Sequence, residues 1–272
     1  MNAADRPPGK VWFVGAGPGA ADLLTVRAIR AMARADVVLH DALLTDEVLD
    51  WAPGAERIAV GKRCAGRAAE QAWIDRELVA QARRHAVVVR LKGGDPTVFG
   101  RLDEEIDALD AAGVPWEIVP GVTAASAAAA AAGRSLTRRG VARRLHVVTP
   151  RIGRGEREAD PGRAHAWADG LGPDDTVVLY MAGRIAADCA RALIGRGFAP
   201  DVPALAVRGA SWPDESVERT TLARLAADGL AVDDRPVVLL VGRAMAARDA
   251  LAAARRVAAS GAPAPALALH AD

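Results

Sequence analysis

Short apolar runs alternate along the chain with segments in which apolar positions recur every three or four residues. Lys10 to Val14, Val37 to Leu39, Arg57 to Val60, Val87 to Leu91 and Trp116 to Val119 read as strands. Helical spacing fills the gaps: Asp22 to Arg34, with Leu23, Val26, Ala28, Ile29 and Met32 on its buried side, then Asp46 to Trp51, Glu70 to Arg84 and Leu102 to Ala112. This alternation predicts α/β architecture with mostly parallel strands. The alanine-rich stretch Thr123 to Ala132 predicts a helix, because alanine loses no side-chain entropy there. After it the pattern restarts, with strands at Leu145 to Thr149, Thr176 to Met181, Ala204 to Arg208 and Val237 to Val241. Helices near Ile185 to Gly195 and Leu222 to Asp228 separate them. Turn signals at Ala199-Pro200-Asp201 and Trp212-Pro213-Asp214 allow a mixed sheet in this half. The expectation is two α/β domains, 10–120 and 121–245, between an N-terminal extension at 1–9 and a tail at 246–272. A cleft between domains is the expected place for a ligand, and the Ser/Gly/Ala/Pro end of the tail is expected to be partly disordered.

Composition removes several classes. With 51% hydrophobic and 25% charged residues the chain can build real cores, which argues against a disordered or fibrous protein. The formal net charge is +1, so anion recognition must come from local clustering of the 35 basic residues. Such a cluster runs from Arg134 to Arg163, where nine arginines face three acids. Only 4% of residues are aromatic, which weakens a reading built on stacking single-stranded bases. Cys64 and Cys189 are far apart and in no metal-ligand spacing, so neither a disulfide framework nor a structural metal is expected. No signal-peptide core and no long uncharged apolar stretch is present, and the expectation is a cytoplasmic enzyme with no membrane or nucleic-acid partner.

Three glycine turns, each leaving a strand, carry the candidate chemistry. The first, Gly15-Ala16-Gly17-Pro18-Gly19-Ala20, matches the G-x-G-x-x-A form of the dinucleotide fingerprint, with Asp41 as an acid at the end of the second strand. Against that reading, the helix starts only near Asp22 and Pro18 removes a backbone donor from the loop. The second turn is Lys92-Gly93-Gly94-Asp95-Pro96-Thr97-Val98-Phe99-Gly100, where paired glycines let backbone approach a ligand and Asp95 offers an acceptor. Its plain alternative is a tight turn in which Asp95 caps the next helix. The third is Pro120-Gly121-Val122-Thr123-Ala124-Ala125-Ser126.

Together with Val60-Gly61-Lys62-Arg63, Gln71 and Tyr180-Met181, these segments resemble the tetrapyrrole methylases, in the same order and over nearly the whole chain from Val11 to Val241. The resemblance implies two α/β domains with S-adenosylmethionine in the cleft between them, leaving as S-adenosylhomocysteine, and a homodimer without metal. It implies cofactor contacts at Pro18, Gly93, Gly94, Asp95, Val98, Thr123, Ala124, Met181 and Ala210. Within the family the chain is most similar to the branch that methylates uroporphyrinogen III at C2 and C7 to give precorrin-2 for siroheme- or cobalamin-type pathways. That resemblance implies Asp41 as proton acceptor and Lys62 as proton donor, although a turn cap and a surface cation are the plain alternatives for these two residues. The tetrapyrrole substrate is a polycarboxylate, which arginine binds in bidentate fashion. Arg63, Arg101, Arg138, Arg139, Arg143 and Arg151, near strand and helix ends, are the expected substrate contacts.

Some positions depart from the family pattern. Ala42 follows Asp41 where arginine is common, Arg138-Arg139-Gly140 replaces His-Arg-Asp, and Pro150-Arg151 replaces Gly-His. Leu102-Asp103 replaces Gly-Gly before Glu104-Glu105. These departures fall on the substrate side, so a methyltransferase for a different precorrin stays open, as does, more distantly, a nicotinamide-dependent oxidoreductase. Because the chain starts almost directly at the methylase unit, a stand-alone methylase without fused oxidase and chelatase regions is expected.

Overall fold

In the computed structural model, residues 7–42, 44–60, 67–150, 165–231 and 233–247 are described. The chain divides into two compact units, Met1–Ala124 and Ala125–Asp272. The first is a five-stranded parallel sheet in the order β3-β2-β4-β1-β5. Its strands are β1 (Lys10–Gly15), β2 (Val37–His40), β3 (Glu56–Ala59), β4 (Val87–Lys92) and β5 (Trp116–Val119). Helices α1 (Val26–Met32), α2 (Asp46–Leu49), α3 (Arg67–Arg84) and α4 (Leu102–Ala111) connect them.

Strand alternation sorts the core. On one face Val14, Val38, Val89, Leu91 and Val119 pack with Ala28 and Met32 of α1 and Val48 and Leu49 of α2. On the other, Val11, Phe13, Val37, Leu39 and Val88 pack with Ile74 and Leu78 of α3 and Leu102 and Leu109 of α4. A sheet covered on both faces requires near-continuous apolar strands, which is what β1 and β4 are. Arg90 and Lys92 are the exceptions in β4, buried at 2% and 3% exposure.

The second unit holds a mixed sheet in the order β6-β7-β10-β8-β9. Its strands are β6 (Leu145–Val148), β7 (Thr176–Tyr180), β8 (Pro203–Arg208), β9 (Ser216–Thr221) and β10 (Val237–Val241). Only β6 and β7 run parallel; β7, β10, β8 and β9 pair antiparallel in turn. Helices α5 (Ala124–Ala131), α6 (Ala186–Gly195) and α7 (Leu222–Asp228) complete it. Leu179, Leu193, Phe198, Leu225 and Leu239 lie at its core.

Two local expectations are corrected. The segment Asp22 to Arg34 is not one helix: a 3-10 turn at Ala21–Leu23 is followed by extended Leu24 and Thr25, and α1 begins at Val26. Thr25 causes the break by capping, its hydroxyl accepting the Ala28 N–H at 3.1 Å. The restart changes the helix phase, so Val26 is 63% exposed instead of buried. Strand β9 has no signal in the apolar pattern, because Val217 is the one apolar residue in Ser216-Val217-Glu218-Arg219-Thr220-Thr221, and the strand is held at the sheet edge by its ladder to β8. Among the described residues no helix is long and apolar enough to cross a membrane.

Leu239, fully buried in β10 between β7 and β8, tests this core. Leu239→Ala is expected to cost about 2 to 5 kcal/mol, read as a lowered midpoint in urea denaturation.

Candidate functional site

Strands β4, β1 and β5 are neighbours, and each ends in one of the three glycine turns. The turns are pressed together at the carboxyl edge of the first sheet. Gly17 and Gly94 exchange backbone hydrogen bonds of 3.2 and 2.7 Å, and the Ala16 N–H donates to the Lys92 carbonyl at 2.8 Å. A Cβ on Gly15 would lie 2.6 Å from Gly121 backbone, and one on Gly121 would lie 2.3 Å from the Gly94 carbonyl oxygen. These two glycines serve chain-to-chain approach. Gly93 differs, since a Cβ there would meet nothing within 4 Å, and Gly94 adopts a left-handed φ of +68°. Together they leave an open backbone surface where crossovers leave β1 and β4 in opposite directions, the position at which parallel sheets bind ligands.

Asp95 ties the turns to one another. Its Oδ1 accepts the Thr97 N–H at 2.8 Å and the Thr97 hydroxyl at 2.5 Å, while Oδ2 accepts the Gly121 N–H at 3.0 Å. Asp95 therefore closes a tight turn but does not cap the next helix, since α4 starts only at Leu102 with Arg101 at its N-cap and no side-chain cap bond, and the carboxylate keeps lone pairs for a further donor. Val98 closes the turn, its N–H donating to the Asp95 carbonyl at 3.1 Å. Pro18 and Thr123 are half-buried on the first and third turns. Past the second turn, Phe99 and Arg101 hold φ of 54° and 53°, the strained backbone that concentrates at functional sites. The first turn does not run into a helix N-terminus, since α1 starts only at Val26, so the dinucleotide arrangement is not formed.

Asp41, at the end of β2, reaches the same edge. Its Oδ2 accepts the Gly93 N–H at 3.4 Å, and its Oδ1 lies 2.7 Å from Arg90 Nη2. Burial works to raise its pKa, but the Arg90 guanidinium and Lys92 ammonium outweigh burial and hold the carboxyl below its usual value. Behind it lies a buried charge cluster. Glu105 of α4 accepts from Arg90 and from Lys92, whose Nζ is 2.8 Å from Oε1. Burial, then the neighbouring Arg90 charge, lower the Lys92 pKa, with Glu105 and Asp41 opposing.

In the second unit, β7 and β8 end at one edge, since Tyr180 pairs with Val238 and Arg208 with Val237. Met181 follows Tyr180 with φ of 56° and 46% exposure. Ala210 follows Arg208 by two residues and precedes Ser211, whose φ is 71°. The Tyr180 hydroxyl accepts the Ala125 N–H at 2.7 Å and so anchors the start of α5. Arg138, Arg139 and Arg143 sit on one tight turn, in which Arg138 and Ala142 exchange backbone hydrogen bonds of 2.9 and 2.8 Å. Gly140 at its tip has φ of +76°, so this departure from the family sequence suits the turn. Arg139 and Arg143 are exposed and Arg138 half-buried. Arg101, in the first unit, is engaged by Glu104 through two bonds of 2.8 and 2.6 Å.

The family model of the Tetrapyrrole (Corrin/Porphyrin) Methylases matches residues 10–226. The chain belongs to this family. The uroporphyrinogen-III C-methyltransferase of Paracoccus denitrificans is 43% identical over 241 residues, covering 88% of this chain and 82% of that protein. The siroheme synthase of Pseudomonas fluorescens is 41% identical over 248 residues, 90% of this chain but only 52% of that protein. This methylase thus spans about half the length of such siroheme synthases. Among solved structures, the Thermus thermophilus uroporphyrin-III C-methyltransferase complexed with S-adenosyl homocysteine has 38% identity and a TM-score of 0.73, covering 87% of this chain and 98% of that one. The mixed α/β architecture described above is that of the family.

The first unit thus brings together Asp41, Pro18, Gly93, Gly94, Asp95, Val98, Thr123 and Ala124, and the second places Met181 and Ala210 at one sheet edge, past strands that β10 separates. Lys62, Arg63 and Arg151 lie outside the described residues. Sequence reasoning missed Arg90, Lys92 and Glu105 as a cluster. The signal was a charged residue inside an otherwise apolar strand, which requires a buried partner.

The lowered Asp41 pKa fixes the sign of an acid effect. Its unfolded carboxyl titrates near 3.8 and the folded one below that. The pair with Arg90 therefore stabilises the fold fully above the unfolded value and is lost as pH falls through the folded one. In urea denaturation at a series of pH values, the stability difference between wild type and Asp41→Asn should be flat above about pH 5 and shrink below it. A difference that widens on acidification contradicts the pairing.

Proposed function

We propose that this methylase transfers methyl groups from S-adenosylmethionine to C2 and then C7 of uroporphyrinogen III, giving precorrin-2 by way of precorrin-1. The observation that carries the reading is the glycine-turn edge, with open backbone at Gly93 and Gly94 beside the Asp41 carboxylate. The residues present suit the cofactor: open backbone for close approach, an anchored carboxylate at Asp95 and an exposed thioether at Met181 that packs well against adenine or methylthio groups. Bound there, the cofactor would supply a sulfonium methyl to an electron-rich pyrrole carbon. Alignment and exclusion of water are then the main tasks of the protein.

Pro18, Gly93, Gly94, Asp95, Val98, Thr123, Ala124, Met181 and Ala210 hold the cofactor in this reading. Asp41 accepts the proton that the tetrapyrrole loses after methylation. A carboxylate held below its usual pKa is a weak base, but it is ionised at neutral pH and its target is an acidic, cationic product of methyl addition. Lys62 serves as proton donor by the family resemblance. Arg63, Arg101, Arg138, Arg139, Arg143 and Arg151 receive the substrate carboxylates. For Arg101 this means exchanging or sharing its bidentate partner Glu104. A cytoplasmic homodimer belongs to the same reading through the resemblance alone. Siroheme- or cobalamin-type biosynthesis would consume the product.

The test is an anaerobic incubation with S-adenosylmethionine and enzymatically generated uroporphyrinogen III, read by mass spectrometry and absorbance. Two added methyl groups are expected, and Asp41→Ala should slow turnover by about a hundredfold or more. Cofactor binding without methylation would reject uroporphyrinogen III and turn the substrate assignment to a different precorrin.

Gly94→Val adds a branched side chain at left-handed φ on the open surface. It is expected to weaken S-adenosylmethionine binding in calorimetry by at least about tenfold.

A further inference from the structure

Glu105 meets the glycine turns only through the Lys92 side chain, yet it is fully buried on α4 and is bonded to both cations of the first unit's charge cluster. One oxygen, Oε1, accepts from Arg90 Nε at 3.2 Å, from Arg90 Nη2 at 3.1 Å and from Lys92 Nζ at 2.8 Å. Arg90 Nη1 donates to the Leu91 carbonyl at 3.1 Å. A guanidinium is planar with donors in fixed directions, so contacts through Nε, Nη1 and Nη2 leave it no freedom to rotate. The same Nη2 that meets Glu105 lies 2.7 Å from Asp41 Oδ1. The Asp41 side chain is 39% exposed, so without a fixed partner solvent would compete for its orientation.

We infer that Glu105 is a positioning residue, orienting the Arg90 guanidinium that holds the Asp41 carboxylate beside Gly93. The inference rests on the proposed function for the catalytic meaning of Asp41, but the contacts stand without it. Charge balance alone does not require this geometry: the two acids and two bases of the cluster would neutralise one another in many arrangements, whereas here one nitrogen is shared by the buried acid and the accessible one. Other charged groups approach Glu105 from α3 and α4. Burial raises the Asp75 pKa against a hydrogen bond from Gln71, and the charges of Glu105 and Glu104 add to the rise, with Arg101 opposing. Gln71, buried at 5% exposure, donates to Asp75 at 2.8 Å.

The decisive readout is the titration of Asp41 itself, followed by carboxyl-13C NMR in aspartate-labelled protein and assigned by the signal lost in Asp41→Asn. If Glu105 acted only through its charge, Glu105→Leu would remove an anion and lower the Asp41 midpoint. Loss of orientation instead predicts a midpoint raised by about one pH unit, partly restored in Glu105→Gln, which keeps an acceptor oxygen. An unchanged or lowered midpoint in folded Glu105→Leu overturns the inference. If that variant does not fold, Lys92→Met/Glu105→Leu compared with Lys92→Met carries the same expectation, because it deletes a buried pair together. With active enzyme, Glu105→Leu should lower kcat at least about tenfold in wild type and less than about twofold in an Asp41→Asn background. A raised midpoint in protein that does not methylate uroporphyrinogen III supports the positioning role and rejects the substrate assignment instead.

Discussion

Backbone packing between glycines is the constraint on which the site depends. Gly15 and Gly121, at the ends of adjacent strands, meet each other and the Gly94 carbonyl at distances no side chain could occupy. Because Gly15 and Gly121 are consumed by that contact, Gly93 and Gly94 are left to face outward. Asp95 then locks the arrangement by bonding the second turn to the third. The carboxyl edge of the sheet becomes a rigid platform made of main chain, and a platform of this kind needs no induced ordering before a ligand is bound.

Beside this platform lies a polar cluster inside an apolar core. Burying Arg90, Lys92 and Glu105 costs desolvation, and the cost is offset only in part by the three hydrogen bonds that converge on Glu105 Oε1, since Oε2 is buried with no hydrogen-bond partner. The return is electrostatic: two cations face the end of β2 and keep Asp41 ionised. The same field makes Asp41 a weak base. That combination suits a reaction in which the proton leaves an already cationic product, and it suits poorly one in which a neutral carbon acid must be ionised.

Much of this was legible in the chain. The strands of the first unit follow from apolar runs such as Val87-Val88-Val89, and α7 and β10 end where the pattern ends. The turns were visible as glycine pairs after strands, and their order carried the family. Thr25 was harder, since a threonine inside a helical pattern does not declare whether it caps a new helix or continues the old one. Strand β9 was harder still, because its polar residues owe their conformation to the β8 ladder.

What the sequence determined by itself is therefore local or periodic: which segments are strands or helices, where backbone can turn left-handed, and which residue types could meet a cofactor or a polycarboxylate. Tertiary structure decided which glycines pack on chain and which face outward, and which carboxylates are buried. Gly15 and Gly93 look alike in the sequence, as do Glu104 and Glu105. In space one glycine is sealed and the other open, and one glutamate pairs with Arg101 at the surface while its neighbour is buried against Arg90 and Lys92. The physical reason is that close approach and desolvation are set by residues brought from distant strands, and no spacing along the chain encodes those distances directly.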